Sequence, residues 1–113
     1  MARFLARPGR ERPTAIVGAN DTIAVACLER AREIGLNVPH ELAVSGFDDR
    51  SFSAYTSPSL TTVSMPLHDM GAAAATMLIS LIEGRPPAKW HVILPATLTL
   101  RESTPSLPRS CAG

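Results

Sequence analysis

The side chains able to do chemistry in this 113-residue chain gather in two short clusters, Ala19-Asn20-Asp21 and Phe47-Asp48-Asp49. A carboxylate accepts up to about four hydrogen bonds, and a primary amide donates and accepts at once, a mixture suited to hydroxyl-rich small molecules. Catalysis fits the pair Asp48-Asp49 poorly. Neighbours on an extended segment point to opposite sides, so the two carboxylates do not flank one glycosidic bond at the ~5 to 9 Å separations that hydrolysis uses. An aspartyl-phosphate acceptor wants a companion acidic cluster and a lysine, and the lone lysine, Lys89, sits in a distant linker region. A non-enzymatic segment is therefore expected. Cys27 and Cys111 have no second Cys or His at metal-ligand spacing, so no metal site is expected. Cys27 reads as a small buried hydrophobe in an apolar helical stretch, and His40, His68 and His91 are scattered as surface residues.

A β-α-β pattern positions the two clusters. After Pro13, Thr14-Ala15-Ile16-Val17-Gly18 reads as a short strand buried on both faces. From Thr22 to Leu36, the apolar residues Ile23, Ala26, Cys27, Leu28, Ala31 and Ile34 recur at helical spacing, with Asp21 as cap and Gly35 as the stop. Leu42-Ala43-Val44-Ser45-Gly46 reads as a second buried strand, with Phe47 as a core residue at its end. A right-handed crossover makes the two strands parallel. Both polar clusters then lie at the carboxyl ends of the strands, the edge where ligands of open α/β sheets bind.

Further on, Leu60-Thr61-Thr62-Val63-Ser64 is β-prone. From Pro66 to Glu83 the alanine-rich middle predicts a long helix, with Pro66 in its first turn and Gly84 ending it. Its apolar stripe is Leu67, Met70, Ala74, Met77, Leu78, Leu81 and Ile82. The segment His91 to Leu100 is β-rich, but Pro95 forces a bend or a change of sheet.

An apolar fraction of 45% suits one modest globular domain. Eleven basic against ten acidic residues give a net charge of +1, which leaves no electrostatic footprint for DNA. Arg3, Arg7, Arg10 and Arg12, interrupted by Pro8 and Gly9, read as a solvated leader. No apolar run has the length of a signal peptide core or approaches the ~18 residues of a membrane span, so a cytoplasmic location is expected.

In order along the chain, Pro13-Thr14-Ala15-Ile16, Ala19-Asn20-Asp21, Gly35-Leu36-Asn37-Val38-Pro39, Leu42-Ala43-Val44-Ser45-Gly46-Phe47-Asp48-Asp49, Leu60-Thr61-Thr62-Val63 and Arg101-Glu102-Ser103 resemble the C-terminal third of LacI/GalR-type regulators. The resemblance runs from about Pro13 to Thr104. It implies an α/β fold, part of a periplasmic-binding-protein-like (type I) core, in which a parallel β-α-β unit is joined by a long helix and strand belonging to the second subdomain. The boundaries it implies are a basic leader over 1–12, a C-terminal subdomain β-α-β-β over 13–64 and an element of the N-terminal subdomain over 65–94. A return strand over 95–104 and a mobile tail over 105–113 follow.

In function, the resemblance implies an effector-binding and dimerisation segment of a transcription regulator, with DNA reached only through a helix-turn-helix that this sequence lacks. A fragment of a transport system's sugar-binding protein, which shares the core fold, is the alternative. No cofactor and no membrane partner are implied; the expected partners are a sugar or sugar derivative and a second copy of the chain. Asp48 is expected to accept from a sugar hydroxyl or a purine nitrogen, Asn20 matches a second ligand-contacting position, and Asp49 is expected to point away. Val25, exposed by helical phase, and Tyr55 are the expected dimer-interface residues. Trp90 and the strand Trp90 to Leu94 are placed in the second subdomain, and the long helix is left without a sheet of its own.

Overall fold

A computed structural model of the chain describes residues 5, 12–86 and 89–106. Most of the basic leader over 1–12 and of the tail over 105–113, with Cys111, lies outside the described residues. The elements run β1 (Ala15–Val17), α1 (Asp21–Glu33), β2 (Ala43–Ser45), a 3₁₀ turn (Ser51–Ala54), β3 (Thr62–Ser64), α2 (Leu67–Ile82) and β4 (Thr97–Thr99). They fall into two compact units, one holding residues up to Ser64 and from Leu98 on, the other Met65–Thr97.

In the first unit β1 and β2 pair in parallel, with Ala15 opposite Ala43, Ile16 opposite Val44 and Val17 opposite Ser45. The expected crossover is thus realised: a 13-residue helix lies between two parallel strands. On its other side β2 is completed by distant residues. The Val44 amide donates to the Ser103 carbonyl at 2.8 Å, the Gly46 amide donates to the Thr61 carbonyl at 2.8 Å, and Ser45 bridges Thr61 in parallel. β3 is hydrogen-bonded to β4 in a second two-stranded sheet.

Helix α1 starts one residue earlier than its apolar periodicity suggests and ends sooner. Its cap is Asn20, not Asp21: the Asn20 side chain accepts from the Ile23 amide at 2.9 Å, while Asp21 is the first helical residue. At the other end Gly35 takes φ +72°. The Leu36 amide reaches back to the Ala31 carbonyl and the Gly35 amide to that of Arg32, the paired closure that a left-handed glycine permits.

The core is small. Ala24, Cys27, Leu28 and Ala31 of α1 are buried with Leu5, Leu42, Val44 and Leu60, and Ile16, Val25, Leu36 and Val38 pack against them. Burial keeps the Cys27 thiol above its ordinary pKa. Two expectations need correction. β1 is not buried on both faces: Ile16 packs on the core, whereas Val17 is 80% exposed. Strand alternation turns Ala15 and Val17 away from the core, and no second layer of described residues covers that face. Val25 is half-buried against the core and Ile23 is the exposed residue, so the buried face of α1 is rotated by part of a turn from the one its apolar periodicity predicts.

In the second unit α2 has its capping position at Pro66, and none of its residues is buried. Leu67, Met70, Leu78, Leu81 and Ile82 are all exposed. Met70, Ala73, Ala74 and Met77 form a shallow apolar groove with Val92 and Leu94. The strand expected over Trp90 to Leu94 is absent, and Trp90 is exposed rather than packed. A strand exists by pairing, and the described residues of this unit offer 90–94 no neighbouring edge.

The division between a packed core and a bare helix has a measurable consequence. Leu42→Ala, at a fully buried position, is expected to cost about 2 to 5 kcal/mol of stability. Ile82→Ala, at a position 76% exposed, should change stability by less than about 0.5 kcal/mol. Urea unfolding of both variants checks this; similar losses would mean that α2 is covered in solution.

Candidate functional site

The parallel pairing of β1 and β2 brings the two polar clusters to one edge of the sheet, 18–21 after β1 and 46–50 after β2. They are joined there directly. The Asp21 amide donates to the Phe47 carbonyl at 2.9 Å, and the Asp21 side chain, fully buried, binds three further segments. Its Oδ1 accepts from the Thr62 hydroxyl at 2.5 Å, and its Oδ2 accepts from the Ser53 hydroxyl at 2.6 Å and the Arg50 amide at 2.8 Å. Gly46 passes so close to Oδ1 that any Cβ there would overlap it. No Lys or Arg side chain among the described residues pairs with Asp21, so these donors compensate for its desolvation.

Asp48 and Asp49 do not form an extended segment. Their φ angles are 107° and 49°, both in the left-handed region that L-residues other than Asn, Asp and Gly rarely enter. The opposed-sides geometry expected of adjacent strand residues therefore does not apply. What separates the two aspartates is their bonding. Asp49 accepts from Arg101 Nη2 at 2.8 Å in a mostly buried ion pair, and its amide donates to Thr62 Oγ1 at 3.3 Å. Asp48 is held by its amide, which donates to the Val63 carbonyl at 3.0 Å. Its half-buried carboxylate has no hydrogen-bond partner among the described residues.

Of the other expected site residues, Asn20 uses its side-chain oxygen for the helix cap. Phe47 is not core; it lies past the end of β2 and is 36% exposed. Tyr55, just after the 3₁₀ turn, is 88% exposed. Val25 packs against the core of the unit. His40, His68 and His91 are exposed.

Three of the residues that shape the site were not singled out for it by sequence reasoning. Arg101 grips Asp49 and, through Nη1, the Leu60 carbonyl at 2.8 Å. Ser103 donates to the Val44 carbonyl at 2.6 Å and accepts from the Thr61 amide at 2.8 Å, which seats the 101–104 segment against β2. Glu102 accepts from the amide and hydroxyl of Ser59, and these bonds hold its carboxyl below the ordinary range.

In a parallel α/β unit, the strand ends that carry this loop and the Asp48 carboxylate are the edge where open sheets of this kind take ligands. Residues 1–104 match the model of the periplasmic binding protein-like domain. The arabinose metabolism transcriptional repressor of Geobacillus stearothermophilus is 45% identical over 102 residues, 89% of this chain and 28% of that protein. A LacI-family regulatory protein from Chloroflexus aggregans superposes with a TM-score of 0.83 at 36% identity, covering 92% of this chain and 37% of the other. The transcriptional regulator CelR, solved as a cellobiose complex, gives a TM-score of 0.75 at 32% identity over 80% of this chain and 28% of its own. The chain belongs to the periplasmic binding protein-like domain family, in its LacI/GalR regulator branch. It spans 28% of the length of the arabinose repressor that it matches. No helix of the described residues is long and apolar enough to cross a membrane.

The Asp21 arrangement yields a prediction. Asp21→Ala strands three donors and should cost about 3 kcal/mol or more, whereas Asp21→Asn keeps one acceptor oxygen and should cost about 1 to 2 kcal/mol. Asp69→Ala, at an exposed carboxylate, is the control and should be near neutral. Chemical denaturation followed by circular dichroism orders the three; an Asp21→Ala variant as stable as the control would remove Asp21 from its central role.

Proposed function

We propose that this chain is an effector-binding and dimerisation segment of a LacI/GalR-type transcription regulator, and that its effector is a sugar or sugar derivative. The observation that carries the reading is the Asp48 carboxylate, on a half-buried residue at the strand ends and without a partner among the described residues, in a loop whose Phe47 carbonyl, Asp48 and Arg50 amides and Asp49 carboxylate are all bonded. A carboxylate held in this way suits paired sugar hydroxyls, and the amide nitrogen of Asn20, whose oxygen is taken by the helix cap, would supply a donor at the same strand ends. The arabinose metabolism repressor and the CelR-cellobiose complex support sugars as the ligand class. Effector binding would shift the balance between arrangements of a dimer, and DNA contact would belong to a helix-turn-helix outside these 113 residues. The working location is the cytoplasm, and no catalytic step is assigned. The dimer face would run from α1 to Tyr55, the most exposed aromatic side chain among the described residues. Val25 would contribute only at its margin, being half-buried in its own core.

Titrating the ¹⁵N-labelled chain with L-arabinose, D-ribose and cellobiose tests the effector reading. With one wall of the crevice in hand, a matching sugar is expected to bind at about millimolar strength, equivalent to roughly −4 kcal/mol. It should move the resonances of 19–21 and 47–49, and Asp48→Ala should weaken it on the order of tenfold or more. A sugar that binds Asp48→Ala as tightly as the parent chain would take Asp48 out of the site. For the dimer face, sedimentation of Tyr55→Asp should show a shift toward monomer relative to the parent chain; an unchanged distribution would clear Tyr55 from the interface.

A further inference from the structure

Two consecutive aspartates with φ of 107° and 49° persist only where their surroundings over-determine them. The loop is gripped at four main points. The Phe47 carbonyl takes the Asp21 amide at 2.9 Å, the Asp48 amide gives to the Val63 carbonyl at 3.0 Å, and the Arg50 amide gives to Asp21 Oδ2 at 2.8 Å. These three lie on the backbone of the loop and of its neighbours, together with Asp21. The fourth is a side-chain pair: Arg101 Nη2 on Asp49 Oδ1 at 2.8 Å.

Arg101 is itself fixed. Its backbone amide donates to Thr61 Oγ1 at 2.8 Å, its Nη1 to the Leu60 carbonyl at 2.8 Å, and the flanking Ser103 is fully buried. A guanidinium fork can hold the Leu60 carbonyl and the Asp49 carboxylate together, where an ammonium would reach one acceptor well. The other tie on Asp49, its amide to Thr62 Oγ1, is long at 3.3 Å.

We propose that Arg101 is the positioning residue of the effector site: by holding Asp49 it keeps Asp48 in its left-handed turn with the carboxylate presented at the strand ends. The proposal rests on the assignment of Asp48 as the effector contact. Arg101 touches no ligand in this scheme; it acts through Asp49 on the backbone that carries Asp48.

The test is amide hydrogen exchange with three-bond HN–Hα couplings, measured by NMR on the full 113-residue chain without sugar. In Arg101→Gln the Asp48 and Asp49 amides should exchange on the order of tenfold faster or more, and their couplings should move away from positive-φ values. The Ala24 and Cys27 amides of α1 should keep their rates. Arg101→Lys should fall between parent and Gln variant. Unchanged exchange at Asp48 in Arg101→Gln overturns the proposal. Equal acceleration at Ala24 and Cys27 also overturns it, since Arg101 would then be a general stabiliser. Because no sugar enters this measurement, its failure leaves the Asp48→Ala titration to judge the effector contact, and a failed titration leaves the exchange result standing.

Discussion

The structure of the first unit turns on one buried carboxylate. Asp21 is fully enclosed and has no cationic partner among the described residues, so its three hydrogen-bond donors must supply what water would have given. Those donors are the Ser53 and Thr62 hydroxyls and the Arg50 amide. Each comes from a different piece of chain: the 3₁₀ turn, the start of β3 and the loop after β2. An ion that loses one donor of three faces a penalty of the order of the whole interaction, which is why such a group fixes geometry more than it adds net stability. Satisfying Asp21 requires that α1, the turn, β3 and the β2 loop come together in one arrangement.

That arrangement shapes the loop in turn. Asp21 tethers Arg50 on one side and Phe47 on the other, so Asp48 and Asp49 must cross the gap between in a tight left-handed pair. Strain of this kind, about 1 to 3 kcal/mol for each sparsely populated residue, is found where a side chain has to be aimed. The surrounding bonds, those to Val63 and Arg101 included, offset it. Asp48 is the member of the pair whose carboxylate has no bond among the described residues, and the bonded loop around it is what would hold that group in one place.

The parts of the fold with local causes were legible in the sequence. The β-α-β unit followed from one apolar period, one cap region and Gly35, and α2 followed from its alanine-rich run and Gly84. The crevice edge followed from parallel pairing alone. Long-range bonding was not legible. Nothing local says that Asp21 turns inward while Asn20 caps, because either side chain could cap. Nor does anything local say that Arg101 meets Asp49 across 52 positions. The misjudged exposure of Val17 and Val25 and the missing strand over 90–94 share another cause. Periodicity describes what a segment would bury given a neighbour, and in this structure several faces have none.

The dependence of β2 on residues far along the chain bears on how the polypeptide is made. β2 has one neighbour in Thr14 to Gly18, translated before it, and the other in Thr61 and in Ser103, which lies 59 positions after Val44. During synthesis the β1-α1-β2 portion can form with one flank of β2 still open, and its exposed main-chain groups can pair with any nearby strand until Thr61 and Ser103 emerge. Closure of that flank therefore waits for a segment synthesised well after the strand it covers. Premature termination a few residues short of Ser103 would release a polypeptide whose central strand lacks its seal, a product suited to degradation or aggregation rather than to ligand recognition.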